Sequence, residues 1–201
     1  MTWLWVAWAR CDDAHVAERL LRDLAVRRYG STAAGVETVR ICPRCASSSH
    51  GRPVLRGLSG PERPGVSVAR APGVTMVALA ASVSVGVDVE STDAFATREV
   101  RDVLLHPLER AETHGEVARA WVRKEAVLKA CGVGLQVDPA SVRLDDSSGA
   151  PEVVETPAAL RRPDWVADVD LAIGLTAAIA GNGSRPSDIT VYSAGPSGLL
   201  D

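Results

Sequence analysis

Apolar residues recur in this chain at helical spacing in each half and at strand spacing several times in each, which restricts it to a fold that mixes both elements. In the first half Val16, Ala17, Leu20, Leu21, Leu24 and Ala25 form one stripe at three- and four-residue intervals. Asp12 or Asp13 is placed to cap that helix, and Gly30 to close it. Residues 2–9 read as a buried strand before the helix, and 36–41 as a strand after it. A loop rich in Cys, Ser, Pro, Gly and Arg then runs to about residue 64. Three short strands follow at 66–70, 74–80 and 83–90, divided by Pro72-Gly73 and Ala81-Ser82. The second half repeats the alternation, with helices over about 97–105 and 116–130 and strands around 141–144, 165–171 and 173–180. The expected fold class is α+β, two similar α+β units side by side, with no visible sequence repeat. Their expected extents are 1–82 and 83–180, with a seam near 81–84 and a flexible Gly/Ser/Pro-rich tail over 181–201.

The apolar share of 46% and aromatic share of 4% describe an aliphatic, foldable chain of 201 residues. No apolar run approaches the roughly 20 residues a membrane span requires. The N-terminus has no basic stretch ahead of its apolar run, so no signal peptide is expected. Four cysteines (Cys11, Cys42, Cys45 and Cys131) are too few for a disulfide scaffold of this size, which points to a reduced, cytoplasmic protein. Residues 1–82 carry 11 basic and 6 acidic side chains, whereas residues 83–201 carry 11 and 19. Such an asymmetry suits an anionic ligand on the first half and a cation on the second, or is plain surface variation.

Lys124 and Lys129 are the only two lysines, and they flank Glu125; arginine supplies the positive charge at 20 other positions. An ammonium is a compact, strongly hydrated point charge and a guanidinium a planar fork, so lysine kept to one place points to a site that needs an ammonium. Asp88 and Glu90, two apart in an expected strand, project from one face. Glu125 and Lys129, four apart in an expected helix, stack on one face. With that helix beside that strand, three carboxylates and an ammonium would meet in one cleft. Hard oxygen ligands without histidine or thiolate describe a Mg²⁺ site on Asp88, Glu90 and Glu125, open to water and phosphate. Lys129 would face the phosphate, a layout for phosphoryl-type transfer. Taken singly, each pair is also an ordinary strand end or solvated helix pair. Trp121, one turn before Glu125, adds weight to the site reading.

Gly86-Val87-Asp88-Val89-Glu90, followed by Trp121-x-x-Lys124-Glu125-Ala126-x-x-Lys129, resembles the signature of the 4′-phosphopantetheinyl transferases. The likeness is to the longer, single-chain surfactin type rather than the short trimeric type. It extends to Ala130-Cys131-Gly132-Val133-Gly134-Leu135, to 165–180, to His50-Gly51-Arg52-Pro53 and to Ser67-Val68-Ala69-Arg70-Ala71-Pro72-Gly73, covering about residues 15 to 180. The resemblance implies an α+β pseudo-dimer with coenzyme A in the cleft between its halves. It implies attack by a serine hydroxyl of an apo acyl or peptidyl carrier protein on the β-phosphate of coenzyme A, with release of 3′,5′-ADP. Asp88, Glu90 and Glu125 would hold Mg²⁺, with Mn²⁺ as the alternative. Glu125 would take the serine proton directly or through a water, and Lys129 would brace the phosphates and the leaving group. Lys124 would contact phosphate or cap the cleft wall. Coenzyme A would meet Arg52, Arg70, Lys129, Asp88 and, on the first helix, Arg22. Arg70 stands where the family has a histidine, Ala69 where it has a serine, and Arg52 where it has a lysine. Arginine keeps a phosphate fork, but any acid–base role of that histidine is put in question.

The carrier protein is expected to dock near residues 91–120 on a monomer, through Val103, Leu104, Leu105 and Leu108, in service of polyketide or peptide synthases. Neither nucleic acid nor membrane is an expected partner. The rival from another reaction class is a metal-dependent nuclease or phosphohydrolase. There the glutamate and lysine sit two apart on a strand rather than four apart on a helix, and an acidic half repels a polyphosphate backbone. A third reading is a non-enzymatic coenzyme A- or zinc-binding module. Cys42-x2-Cys45-x4-His50 begins like a zinc knuckle, but the fourth ligand would fall at Leu55, leaving Cys11 or His15 to complete it.

Overall fold

The computed structural model describes residues 3–42, 45, 47–48, 51–58, 63–81, 84–95, 100–195 and 200. The first half runs β1 (Leu4–Ala9), α1 (Val16–Tyr29), the pair β2 (Glu37–Ile41) and β3 (Arg52–Arg56), then β4 (Gly65–Ala71) and β5 (Val74–Ala80). The second runs β6 (Val85–Ser91), the short helix α2 (Arg101–Leu104), α3 (His114–Ala130), the pair β7 (Arg143–Asp145) and β8 (Glu152–Glu155), then β9 (Trp165–Asp168) and β10 (Leu175–Gly181). A final strand, β11 (Ile189–Ser193), follows. Both halves trace one path: strand, main helix, small antiparallel pair, then two strands, the last of which takes the middle of its sheet. The orders β1-β5-β4 and β6-β10-β9 are equivalent, and every neighbour within them is antiparallel. The fold is α+β, and its repeat lies in topology rather than in sequence.

Residue alternation explains how the layers stack, because successive strand side chains point to opposite faces. Leu4 and Val6 of β1, Met76, Ala78 and Ala80 of β5, Val85, Val87 and Val89 of β6, and Ala177 and Ile179 of β10 share one core between the two sheets. The opposite faces are covered by helices. Leu20, Leu21 and Leu24 of α1 pack on Ala7, Ala9, Val77 and Leu79, and Val122, Ala126 and Ala130 of α3 pack on Val166, Ala178 and Ala180. The result is a helix–sheet–sheet–helix sandwich. With both faces covered, β5 reads as an unbroken apolar run apart from Thr75, and all seven of its residues are buried.

The even positions of β6 look outward at α3, and the first of them is Gly86. A Cβ there would overlap the Ala126 carbonyl and the Ala130 amide nitrogen. Only glycine lets this strand and helix come into backbone contact, and that contact carries Asp88, two residues on, to the flank of α3. The helix is fixed at its start by a reciprocal cap, in which Thr113 Oγ1 accepts the Glu116 N–H and Glu116 accepts the Thr113 N–H. Across the other edge of β6, the Val87 N–H donates to Ser67 Oγ of β4 at 3.0 Å, joining the halves.

Several expectations change. Asp13 does not cap α1; His15 is its N-cap, while Asp13 accepts the His15 N–H and Asp12 accepts the Gly73 N–H, pinning the loop to the β4–β5 turn. Gly30 does close the helix, at φ +81° with its N–H on Val26 O. The loop to residue 64 contains β3, where Pro53 is accommodated because the sheet has only two strands and both are edges. β8 lay hidden in the short, charge-flanked Glu-Val-Val-Glu segment. The tail is not a flexible extension throughout: β11 pairs in parallel with β1 from Leu4↔Ile189 to Trp8↔Ser193, and Tyr192 meets Trp5 edge-on. It thereby covers a sheet edge that would otherwise invite foreign pairing. Ser82 and Val83 of the expected seam and 97–99 of the expected helix lie outside the described residues.

Gly86→Ala should therefore cost more than an ordinary overpacked methyl, which costs about 1–3 kcal/mol, because the atoms it meets are backbone. Denaturant unfolding measures this; a loss below about 0.5 kcal/mol would mean that β6 and α3 are not held in contact.

Candidate active site

Two acids and an ammonium meet where β6 passes α3. Lys129 Nζ donates to Asp88 Oδ1 at 2.6 Å. Asp88 and Glu125 are both buried, and Glu125 Oε1 is enclosed without any protein partner. Burial raises the Asp88 carboxyl to about 6, with Lys129 opposing the rise and Glu90 adding to it. Burial also raises Glu125, to about 7, where the charge of Asp88 adds to the effect and Lys129 opposes it. Both shifts describe negative charge that the enclosed site does not neutralise.

Glu90 lies two residues further along β6, half-buried, with Oε1 on the Ser91 N–H at 3.1 Å. Its charge adds to the rise of Asp88, yet among the described residues no three histidine, cysteine, aspartate or glutamate side chains converge closely enough to hold a metal ion. The expected three-carboxylate clasp is thus corrected: Asp88 feels the charge of Glu90, and Glu125 that of Asp88, but the three do not close into one ligand group.

Lys124 is not in the cleft. It is fully buried on another bearing of α3, with Nζ on Glu109 Oε2 at 2.6 Å and on the Leu104 carbonyl at 2.8 Å. Glu109 in turn accepts the His106 and Leu144 N–H groups. The pair fastens α3 to the segment after α2 and to β7, so the expected phosphate or cleft-wall role of Lys124 is replaced by a structural one. Its neighbour Arg123 is likewise a tether, bidentate to Asp168 at 2.7 Å and bonded to Asp146 at 3.0 Å. Trp121 packs on Phe95 in the core beneath α2.

Lys129 also lines a cavity of about 310 Å³ with Arg40, Arg52, Pro53, Ser67 and Gln136 among its other walls. Asp88 and Glu125 do not line it; Lys129, which bonds Asp88, links the acids to its wall. Arg52 reaches the Val85 carbonyl at 3.5 Å across the two halves. A second cavity of about 320 Å³ adjoins it through the shared residues Arg40, Pro53 and Val68, and its wall holds Arg70. Burial lowers the pKa of Arg70, and the charge of Arg40 lowers it further while Glu18 opposes. Arg22, expected on the ligand, is exposed on α1 and lines neither cavity. The residue that sequence reasoning missed is Arg40. It stands between Val39 and Ile41 in β2, and its register opposite Pro53 appears only in the fold. Cys42 is a wall of the first cavity, whereas His50 of the knuckle pattern lies outside the described residues. None of the four cysteines is in a disulfide, and among the described residues no helix is long and apolar enough to cross a membrane.

Two outcomes follow from these placements. Lys124→Ala should lower stability by about 3–5 kcal/mol in denaturant unfolding, as breaking a buried ion pair does; a change below about 1 kcal/mol would contradict the tether. Asp88 and Glu125 hold protons in the folded chain that the unfolded chain loses near its ordinary values of 3.8 and 4.5. Their contribution to stability therefore falls as pH rises from there to about 7. Without divalent ions, the melting temperature should gain more from lowering pH from about 7.5 to 5.5 in the wild type than in an Asp88→Asn/Glu125→Gln variant. Equal gains would refute the raised pair.

Residues 84–176 match the family model of the 4′-phosphopantetheinyl transferase superfamily. No curated protein matches the chain. The matched span contains β6, α3 and the Asp88–Lys129 contact, while the cavity arginines Arg40, Arg52 and Arg70 precede it. Residues 84–176, which hold that strand and that helix, are thus similar to the 4′-phosphopantetheinyl transferase superfamily.

Proposed function

We propose that the chain transfers the 4′-phosphopantetheine arm of coenzyme A to a serine of an apo acyl or peptidyl carrier protein, in the single-chain surfactin manner. One observation carries the reading: two buried acids, Asp88 and Glu125, linked through Lys129 to an arginine-walled cavity. We read residues 1–82 and 83–180 as the two subdomains of this enzyme, working as a monomer in the cytoplasm.

The donor set fits a divalent ion. Asp88 and Glu125 offer hard oxygens, one of them enclosed and unpartnered, and Mg²⁺ commonly takes only one or two carboxylates, completing its shell with water and substrate phosphate. Asp88 and Glu125 would hold it, with Glu90 beside them on the same strand face; Mn²⁺ offers the same chemistry. When bound, the ion supplies charge neutralisation for the pyrophosphate.

The chain's own groups do the rest. Arg52, Arg40 and Arg70 offer forked donors along the joined cavities for the phosphates and the 3′-phosphate. Glu125, directly or through a water, accepts the proton of the carrier serine as its oxygen bonds to the β-phosphorus. The phosphoanhydride bond breaks, and its electron pair leaves on 3′,5′-ADP. Lys129 stabilises the charge that gathers on that leaving group. For the carrier, Leu104 is core and Leu105 half-buried, so docking falls to Val103 and Leu108, which are 65% and 70% exposed.

Mass spectrometry of an apo carrier incubated with the chain, coenzyme A and Mg²⁺ tests the reading by the gain of the phosphopantetheine arm. Glu125→Gln or Lys129→Ala should lower kcat by about 10²–10³. Leu108→Asp should raise KM for the carrier about tenfold with KM for coenzyme A unchanged. No arm transferred to any of a panel of apo carriers would overturn the proposal.

A further inference from the structure

Lys129 lines the cavity that Arg40 and Arg52 also line, yet its ammonium lies on Asp88 Oδ1 at 2.6 Å. An ammonium at hydrogen-bond distance from a carboxylate oxygen fills the place a divalent ion would take there, and it repels that ion. Lys129 in its present position therefore competes with a metal ion for that oxygen of Asp88. The side chain has somewhere to go, since it is 25% exposed and its flexible stem already reaches the cavity wall. What holds it back is charge: with no anion in the cavity, moving toward Arg52 places one cation beside another. Glu125 Oε1, enclosed and unpartnered, is the second oxygen in reach of an arriving ion. Lys124 offers the contrast of a lysine locked by two partners with no such freedom.

We propose that Lys129 is a placeholder cation: it occupies Asp88 in the empty protein and yields to a divalent ion only when a polyphosphate fills the cavity. Metal and coenzyme A then bind as a coupled pair, each tightening the other by the same factor. The inference rests on the metal reading given above and goes beyond it in assigning an order to the site's filling.

Calorimetric titration of the full chain with Mg²⁺, alone and with saturating coenzyme A, tests it once direct chelation by coenzyme A is measured and subtracted. The wild type should bind Mg²⁺ about tenfold more tightly with coenzyme A present. Lys129→Met should bind Mg²⁺ alone about fivefold more tightly than the wild type and lose most of the coupling. Lys129→Gln should behave alike, which guards against a variant that folds poorly. Because the chain has only two lysines, lysine labelled with ¹³C at Cε gives two resonances. That of Lys129 should move when Mg²⁺ and coenzyme A are added together but not with Mg²⁺ alone, while that of Lys124 stays. Lys129 variants that bind Mg²⁺ no tighter than the wild type, or a Lys129 resonance indifferent to both ligands, overturn the placeholder. If Asp88→Asn still abolishes Mg²⁺ binding in that case, the metal reading survives. A wild type that binds no Mg²⁺ even with coenzyme A sinks both.

Discussion

Backbone meets backbone where β6 crosses α3, because Gly86 has no side chain to hold Ala126 and Ala130 away. That approach sets everything else at the site. It brings Asp88 beside Lys129, and it leaves the charge of Asp88 close enough to raise buried Glu125. The odd residues of the same strand meanwhile seal the core between the sheets. A strand in an antiparallel sheet seldom serves two layers so differently on its two faces. Here one face is Val85, Val87 and Val89, and the other is Gly86, Asp88 and Glu90.

The two lysines show how context divides identical chemistry. Both stand on α3 and both meet a carboxylate at 2.6 Å. Lys124 has no contact with solvent and a second acceptor, so its pair is structural; burial lowers its pKa while Glu109 opposes. Lys129 lines a cavity, and its partner is Asp88, whose carboxyl burial raises to about 6. A lysine serves at Lys124 because a single compact ammonium can satisfy Glu109 and a carbonyl within a dry space, where a guanidinium would need more donors satisfied.

Much of this was legible from residues. The carboxylate and lysine spacings anticipated that Asp88, Glu125 and Lys129 meet, and the helical stripe and short strands anticipated both main helices and the longer strands. What escaped notice depended on three-dimensional register. Lys124 and Glu125 are adjacent in sequence, and only the bearing of α3 separates a tether from a site residue. Arg40 became a cavity wall through its pairing opposite Pro53, which periodicity does not reveal. Glu90 shares a face of β6 with Asp88 as expected, yet the three acids do not close into one ligand group. Leu104 looked like surface beside Val103 and Leu108 but faces Phe95 and Val117 in the core, because so short a helix turns adjacent residues through opposite environments.

The pairing of β11 with β1 has a bearing on how the chain matures. Leu4 finds Ile189 and Trp8 finds Ser193, so one border of the first sheet is completed by residues translated after both halves have emerged. Until then β1 presents an open row of amides and carbonyls beside its tryptophans, the kind of border that chaperones shield and that nascent chains misjoin. Contacts so distant along the polypeptide form slowly. Closure of the protein is thus tied to a segment that contributes nothing to its chemistry.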